Sequence, residues 1–206
     1  MSHVDRLRRT AVLALHYQND VLHPNGRIRV GLDANDPARA RVIEAATRLF
    51  ARAREAELPI IHIRISFRPD YADLVQNCWI FRKTAEIGAV QDGSWGAEFF
   101  DGLGPAEGRE TEYVIKHLRT SGFIGTPLEL LLTKLDVRHV IVAGVATHSV
   151  VEMTARHAAD LGYEVSVAED ACACADARLH AASLDSMRLI ADVKPVAALF
   201  DQEALA

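Results

Sequence analysis

The chain has 206 residues, 50% of them hydrophobic, 25% charged and 6% aromatic, with a formal net charge of -5. This balance excludes intrinsic disorder, and 12 Gly with 7 Pro exclude collagen-like and low-complexity classes. Three cysteines exclude a dense disulfide framework and leave free thiols, or a thiol enzyme, open. A single domain over residues 1–206 is expected, because one core stays efficient up to roughly 250 residues. An acidic net charge argues against a nucleic-acid surface. The one basic run, Arg6 to Arg9, reads as a solvated terminus. No stretch approaches the ~20 apolar residues of a membrane span. Ala11–Leu15 is too short for the apolar core of a secretory signal, so a soluble, cytoplasmic protein is expected.

In chain order, Ala11–Leu15 reads as a buried strand. Asp36–Glu57 has apolar residues at Ala40, Ile43, Ala46, Leu49, Phe50 and Ala53, a helical spacing opened by Asp36 as N-cap and Pro37 at the first position. Pro59–Ile65 is the second strand. Ser66–Gly108 is irregular and rich in Gly and Pro, which marks it as functional or built of short helices. Glu112–Ile115 is a strand, Pro127–Lys134 a helix capped by Thr126, and Val137–Ala143 a strand. Ser149–Leu161 is a helix, Glu164–Ala168 a strand, Ala177–Ala191 a helix and Val193–Val196 a last short strand. Strands alternating with helices imply an α/β fold with a mostly parallel sheet covered on both faces.

Sites in such sheets lie beyond the carboxyl ends of the strands. The exits carry His16 to Asp20, Lys116 and His117, Gly144 to Ser149, and Asp170. No Gly-x-Gly-x-x-Gly or Gly-x4-Gly-Lys-Ser/Thr motif follows a strand, so nucleotide binding has no support.

Four segments carry a resemblance. LALHYQND (Leu13–Asp20), DGSWGAE (Asp92–Glu98), VIKHLRTSGFIGTPLELLL (Val114–Leu132) and the long block from Val140 to Ala173 resemble the isochorismatase-like (cysteine hydrolase) superfamily over residues 10 to 195. The resemblance implies a three-layer α/β/α domain with a mainly parallel six-stranded sheet. It also implies a cis peptide around Val145–Ala146, homodimers or homotetramers, and hydrolysis of a small organic molecule. The amidohydrolases of this superfamily use a Cys–Asp–Lys triad, with backbone amides at a helix start meeting the oxyanion.

This chain departs from that pattern. Val150, an inert pocket wall, stands at the usual nucleophile position, and His16 aligns with the first-strand Asp. Lys116 is present one residue further than usual from Ser121, so His117 is the alternative occupant of the lysine position. The isochorismatases themselves lack the thiol and carry a His matching His148. The resemblance therefore implies thiol-free acid–base hydrolysis of a C–N or vinyl-ether bond, with His16, Lys116 and His148 as catalytic candidates. Gln18, Asp20, Phe67, Trp95, Val145, Ala146, Thr147, Ser149 and Val150 are the expected substrate contacts.

Each assignment has a plainer counterpart. His16 is otherwise a hydrogen-bonded strand-end histidine. Ser149 is a nucleophile only with a base beside it, and on a regular α-helix it points away from a site that Val150 faces. Cys172 and Cys174 read as small buried hydrophobes rather than metal ligands, and Cys78 reaches the pocket only from the irregular segment. His62 reads as a core or strand-end histidine, and Phe67 and Trp95 alternatively fasten that segment to the core. The nicotinamidase branch binds a metal with Asp and two His, a set absent here; no metal and no cofactor are expected. A catalytically inactive member that binds a small molecule or a protein partner is the alternative.

Overall fold

A computed structural model describes residues 3–200. The elements in order are α1 (His3–Arg8), β1 (Thr10–Leu15), α2 (Asn19–Leu22), α3 (Ala38–Glu55), β2 (Ile60–Ile65), α4 (Trp79–Glu86), β3 (Glu112–His117) and α5 (Leu128–Lys134). They continue with β4 (His139–Val145), a π-helical turn (Thr147–Val151), α6 (Glu152–Asp160), β5 (Glu164–Ala173), α7 (Ala177–Met187), β6 (Asp192–Lys194) and α8 (Val196–Leu199). The six strands form one sheet in the order β3-β2-β1-β4-β5-β6, and every adjacent pair is parallel.

Strand periodicity builds the two faces. In β1, Val12 and Ala14 pack with Ala46, Leu49 and Phe50 of α3 in one core. Ala11, Leu13 and Leu15 pack with Leu128 and Leu132 of α5, Ala155 and Ala158 of α6, and Leu184 and Met187 of α7 in the other. Each fully buried aliphatic side chain contributes about 1.5–3 kcal/mol, so a β1 buried at all six positions holds both layers to the sheet. A third, smaller core of Phe67, Leu74, Phe81, Ala89 and Val90 sits within the 66–108 segment, which contains α4 and a 3₁₀ turn at Trp95–Ala97.

Several boundaries differ from expectation. Helix α3 starts at Ala38, so Pro37 rather than Asp36 stands at the N-cap, one position later than expected, while Asp36 Oδ1 accepts the Ala38 amide at 2.7 Å. Thr126 Oγ1 likewise accepts the Leu128 amide at the head of α5. The expected Ser149–Leu161 helix opens instead on the π turn, where the Val151 amide reaches back to the Ala146 carbonyl. Strand β5 runs to Ala173, five residues further than expected, because an irregularity in its pairing with β4 re-registers Cys172 against Gly144. Helix α7 ends at Met187, short of Ala191. The basic run is not merely solvated, since Arg6 pairs with Glu164 at 3.1 Å and Arg9 with Asp136 at 2.7 Å. Among the described residues, no helix is long and apolar enough to cross a membrane.

Candidate active site

The exits of β1, β2, β3 and β4 surround a narrow cleft of about 50 Å³. Its walls are mostly aliphatic and aromatic, among them Val21, Ile65, Ile80, Phe81, Val145 and Val150. His16, Thr84, Arg119, Thr120 and Ser149 are its polar residues, and among the described residues no Asp or Glu lines it.

His16, at the wall of the cleft, meets the buried His117. They leave β1 and β3, which are separated by β2, so their backbones stand about 10 Å apart at ordinary strand spacing. The side chains close that gap over the end of β2. Their Nε2 atoms share a hydrogen bond, with ring centroids 4.7 Å apart. His16 is held at φ 57°, its amide donating to the Ile63 carbonyl at 2.9 Å. His117 Nδ1 lies 3.3 Å from the Ser121 carbonyl, which can only accept. The proton of His117 therefore sits on Nδ1, its Nε2 is a lone pair, and His16 Nε2–H is the donor between the rings. That leaves Nδ1 of neutral His16 as the unprotonated nitrogen of the pair.

Burial, reinforced by the neighbouring His117, holds His16 well below the usual histidine range. Burial also takes His117 down to about 4, against the opposing effect of its bond to Ser121. Both rings are neutral at pH 7. A neutral ring of this kind keeps a free lone pair at pH 7 and carries no imidazolium proton to give, and the same burial weakens it as a base.

Four of the expected substrate contacts line the cleft: Val145, Ala146, Ser149 and Val150. The Val145–Ala146 peptide is cis. Ser149 faces the cleft beside Val150, contrary to expectation, because the wider π turn rotates it from where an α-helix would place it.

The other expected contacts lie elsewhere. Gln18 is fully buried, its Nε2 donating to the Ile65 and Ala97 carbonyls and its Oε1 accepting the Ile65 amide. Asp20 accepts the amides of Arg27 at 3.1 Å and Val90 at 2.7 Å. A Cβ on Gly96 would lie 2.1 Å from Asp20 Oδ2, which explains the second glycine of DGSWGAE. These side chains fasten the 66–108 segment, so their polar atoms are occupied. Phe67 is buried in that segment's own core, and Trp95 packs edge-on against His23 with 47% of its surface exposed. Thr147 Oγ1 turns to His180 Nδ1 at 2.8 Å.

Two of the three catalytic candidates also stand outside the cleft. Adjacent strand residues face opposite ways, so Lys116 points away from His117 and pairs with Asp92 at 2.5 Å and Asp73 at 3.7 Å. His148 is half-buried with an unpartnered Nδ1 and does not line the cleft. Among the thiols, Cys172 is buried and pushed up to about 12, chiefly by that burial. Cys174 is also raised by burial, and its Sγ donates to the Asp176 carbonyl. Cys78 caps α4 away from the cleft walls. His62 is buried against Glu112 at 2.9 Å, inside a cluster completed by Arg54. Among the described residues no three His, Cys, Asp or Glu gather as a metal site. The sequence reading missed Arg119 and Thr120, which it would have reached by following the β3 exit three residues beyond His117.

This architecture matches solved structures closely. The cysteine hydrolase of Pseudomonas syringae superposes with a TM-score of 0.82 at 23% identity, covering 94% of this chain and 92% of that one. An isochorismatase family protein of Desulfovibrio vulgaris gives 0.79 at 27% identity, covering 93% and 96%. In sequence, the ureidoacrylate amidohydrolase of Cronobacter sakazakii is 29% identical over 175 residues, covering 79% of this chain and 73% of the relative. The isochorismatase domain profile spans residues 10–199, from the first residue of β1 to the end of α8, and so takes in every strand exit described above. The chain therefore belongs to the isochorismatase family.

Proposed function

We propose that this chain hydrolyses a C–N bond in a small organic molecule, with the His16–His117 pair as general base and no thiol nucleophile. The observation that carries this reading is the hydrogen bond between the two Nε2 atoms at the wall of a cleft that Val150 also lines. A water beside His16 gives its proton to Nδ1, and its oxygen attacks the carbonyl carbon. His117 shares the resulting positive charge through the Nε2 contact, while its Nδ1–H stays anchored to Ser121. The helix starting at Thr147 presents its N-terminal turn to the cleft, where backbone N–H groups and the helix dipole favour an oxyanion. When the C–N bond breaks, the proton held by His16 passes to the departing nitrogen.

The neutrality of both rings at pH 7 favours C–N hydrolysis over vinyl-ether cleavage. Vinyl-ether cleavage needs a proton donor at the first step, and a ring neutral at pH 7 is a poor one. Carbonyl attack needs a lone pair, which this pair has. The amidohydrolase relative from Cronobacter acts, by its name, on a ureidoacrylate, which supports the same bond class.

A panel of small primary amides, N-carbamoyl compounds and vinyl ethers tests the reading. Turnover is expected on an amide or ureide, retained after thiol alkylation with iodoacetamide and lost in His16→Asn and His117→Asn. Turnover that alkylation abolishes and His16→Asn leaves intact would overturn it. One observation favours a second reading, a ligand-binding member without turnover: the cleft is narrow and its lining overwhelmingly apolar. Ligand-dependent thermal stabilisation with no product on any compound of the panel would select that reading.

A further inference from the structure

Arg119 lies two residues past His117 at the β3 exit and lines the same cleft. Its guanidinium stacks over the Phe81 ring, 4.4 Å from the centroid. One terminal nitrogen donates to the Val75 carbonyl at 3.2 Å and the other to Asn77 Oδ1 at 3.0 Å. Both acceptors are neutral. Among the described residues Arg119 has no carboxylate partner, unlike Arg48, Arg54, Arg68 and Arg156, each of which pairs with one at 2.7–2.8 Å. Among the described residues no Asp or Glu lines the cleft, and His16 at its wall is uncharged at pH 7, as is its hydrogen-bond partner His117.

We infer that the cleft takes a small monoanion, a carboxylate on a compact apolar body, with Arg119 as the group that recognises the carboxylate. Three arguments converge on that chemistry. A guanidinium offers five donors in a planar fork suited to a carboxylate, and here at most two are engaged. The stack on Phe81 and the two carbonyl bonds hold the fork in place before any ligand arrives, so little side-chain freedom is lost on binding. A single cation with neutral neighbours balances one negative charge, whereas a phosphate dianion would need more. The remaining walls, Val21, Ile80 and Val150 among them, match a hydrocarbon body, and about 50 Å³ of space keeps it small.

The inference rests on the hydrolase reading only for the claim that the anion is the substrate; binding is measured without turnover. Isovalerate and isovaleramide differ only at the headgroup, and titration calorimetry compares them directly. Isovalerate is expected to bind the wild-type chain at least about tenfold tighter, the value of one good charged contact. Arg119→Gln is expected to bring the ratio close to one, and Arg119→Lys to keep part of it. Raising NaCl should weaken isovalerate and leave isovaleramide unchanged, a readout that needs no variant. Equal binding of the two, binding of neither, or an unchanged ratio in Arg119→Gln would overturn the inference. If isovalerate binds as expected and no amide is hydrolysed, the anion site stands and the hydrolase reading falls. If amides turn over with no preference for a carboxylate, the reverse holds.

Discussion

Two of the cavities at strand exits of this sheet differ in size and in the charge that lines them. At the β5 exit lies a cavity of about 610 Å³ whose lining includes Glu44, Arg48, Glu169 and Asp170 beside small apolar residues such as Ala38, Ala173 and Ala175. The cleft around His16 has about 50 Å³ and a mostly hydrocarbon wall. In the larger cavity charge meets charge within the protein: Arg48 pairs with Glu44 at 2.7 Å and with Asp170 at 3.4 Å. In the smaller one the histidine pair has lost its charge to burial and Arg119 keeps its charge without a carboxylate. The contrast teaches that volume is a poor guide to chemistry. A group whose interactions are already satisfied has little left to offer a ligand, however open the space before it.

Substitutions at the two cavities should separate them sharply. The largest effect is expected at the pair: His16→Asn or His117→Asn should lower kcat by about 10²–10⁴-fold on whichever amide is turned over, the usual contribution of a general base. Steady-state kinetics with a circular-dichroism check of folding would show it. Next comes acid. His117 titrates at about 4 in the folded chain and about 6.5 when unfolded, so the unfolded state binds more protons between those values. Stability is therefore complete above pH 6.5 and falls as pH drops toward 4, by about 3 kcal/mol for this group alone. His16 and His139, both also lowered by burial, act in the same direction. Urea midpoints measured from pH 7.5 to 4 should trace the decline, and a flat profile would contradict the neutral pair.

Smaller changes test the walls. Asp20→Ala strips a partner from the amides of Arg27 and Val90 and is expected to cost about 1–3 kcal/mol, with faster proteolysis of the 66–108 segment. Val150→Phe overfills the cleft wall at a similar cost of about 1–3 kcal/mol and should abolish isovalerate binding in calorimetry. The smallest effect belongs to the large cavity. Arg48 is half exposed, so Arg48→Ala should cost under about 1 kcal/mol and leave turnover unaltered. A large kinetic effect there would reverse the ranking of the two cavities.

How much of this was legible in the sequence differs between fold and site. The apolar runs and amphipathic stretches, each a local pattern, placed all six strands and the covered parallel sheet, and the strand-exit rule picked out His16, His117 and the Gly144–Ser149 turn. Gly144 itself follows from close packing, since a Cβ there would lie 2.2 Å from the Leu15 carbonyl oxygen. What each exit residue faces was not legible. Lys116 and His117 are neighbours of similar character, and only the register of β3 on β2 turns the histidine inward. Gln18 and Asp20 read as free polar groups until the 66–108 segment, distant in sequence, folds down and takes up their hydrogen bonds. Ser149 enters the cleft because one turn of helix widens. Local periodicity determined which elements form, since it acts within a few residues. Contacts between distant segments decided which side chains stay free, because only they consume or spare a polar atom.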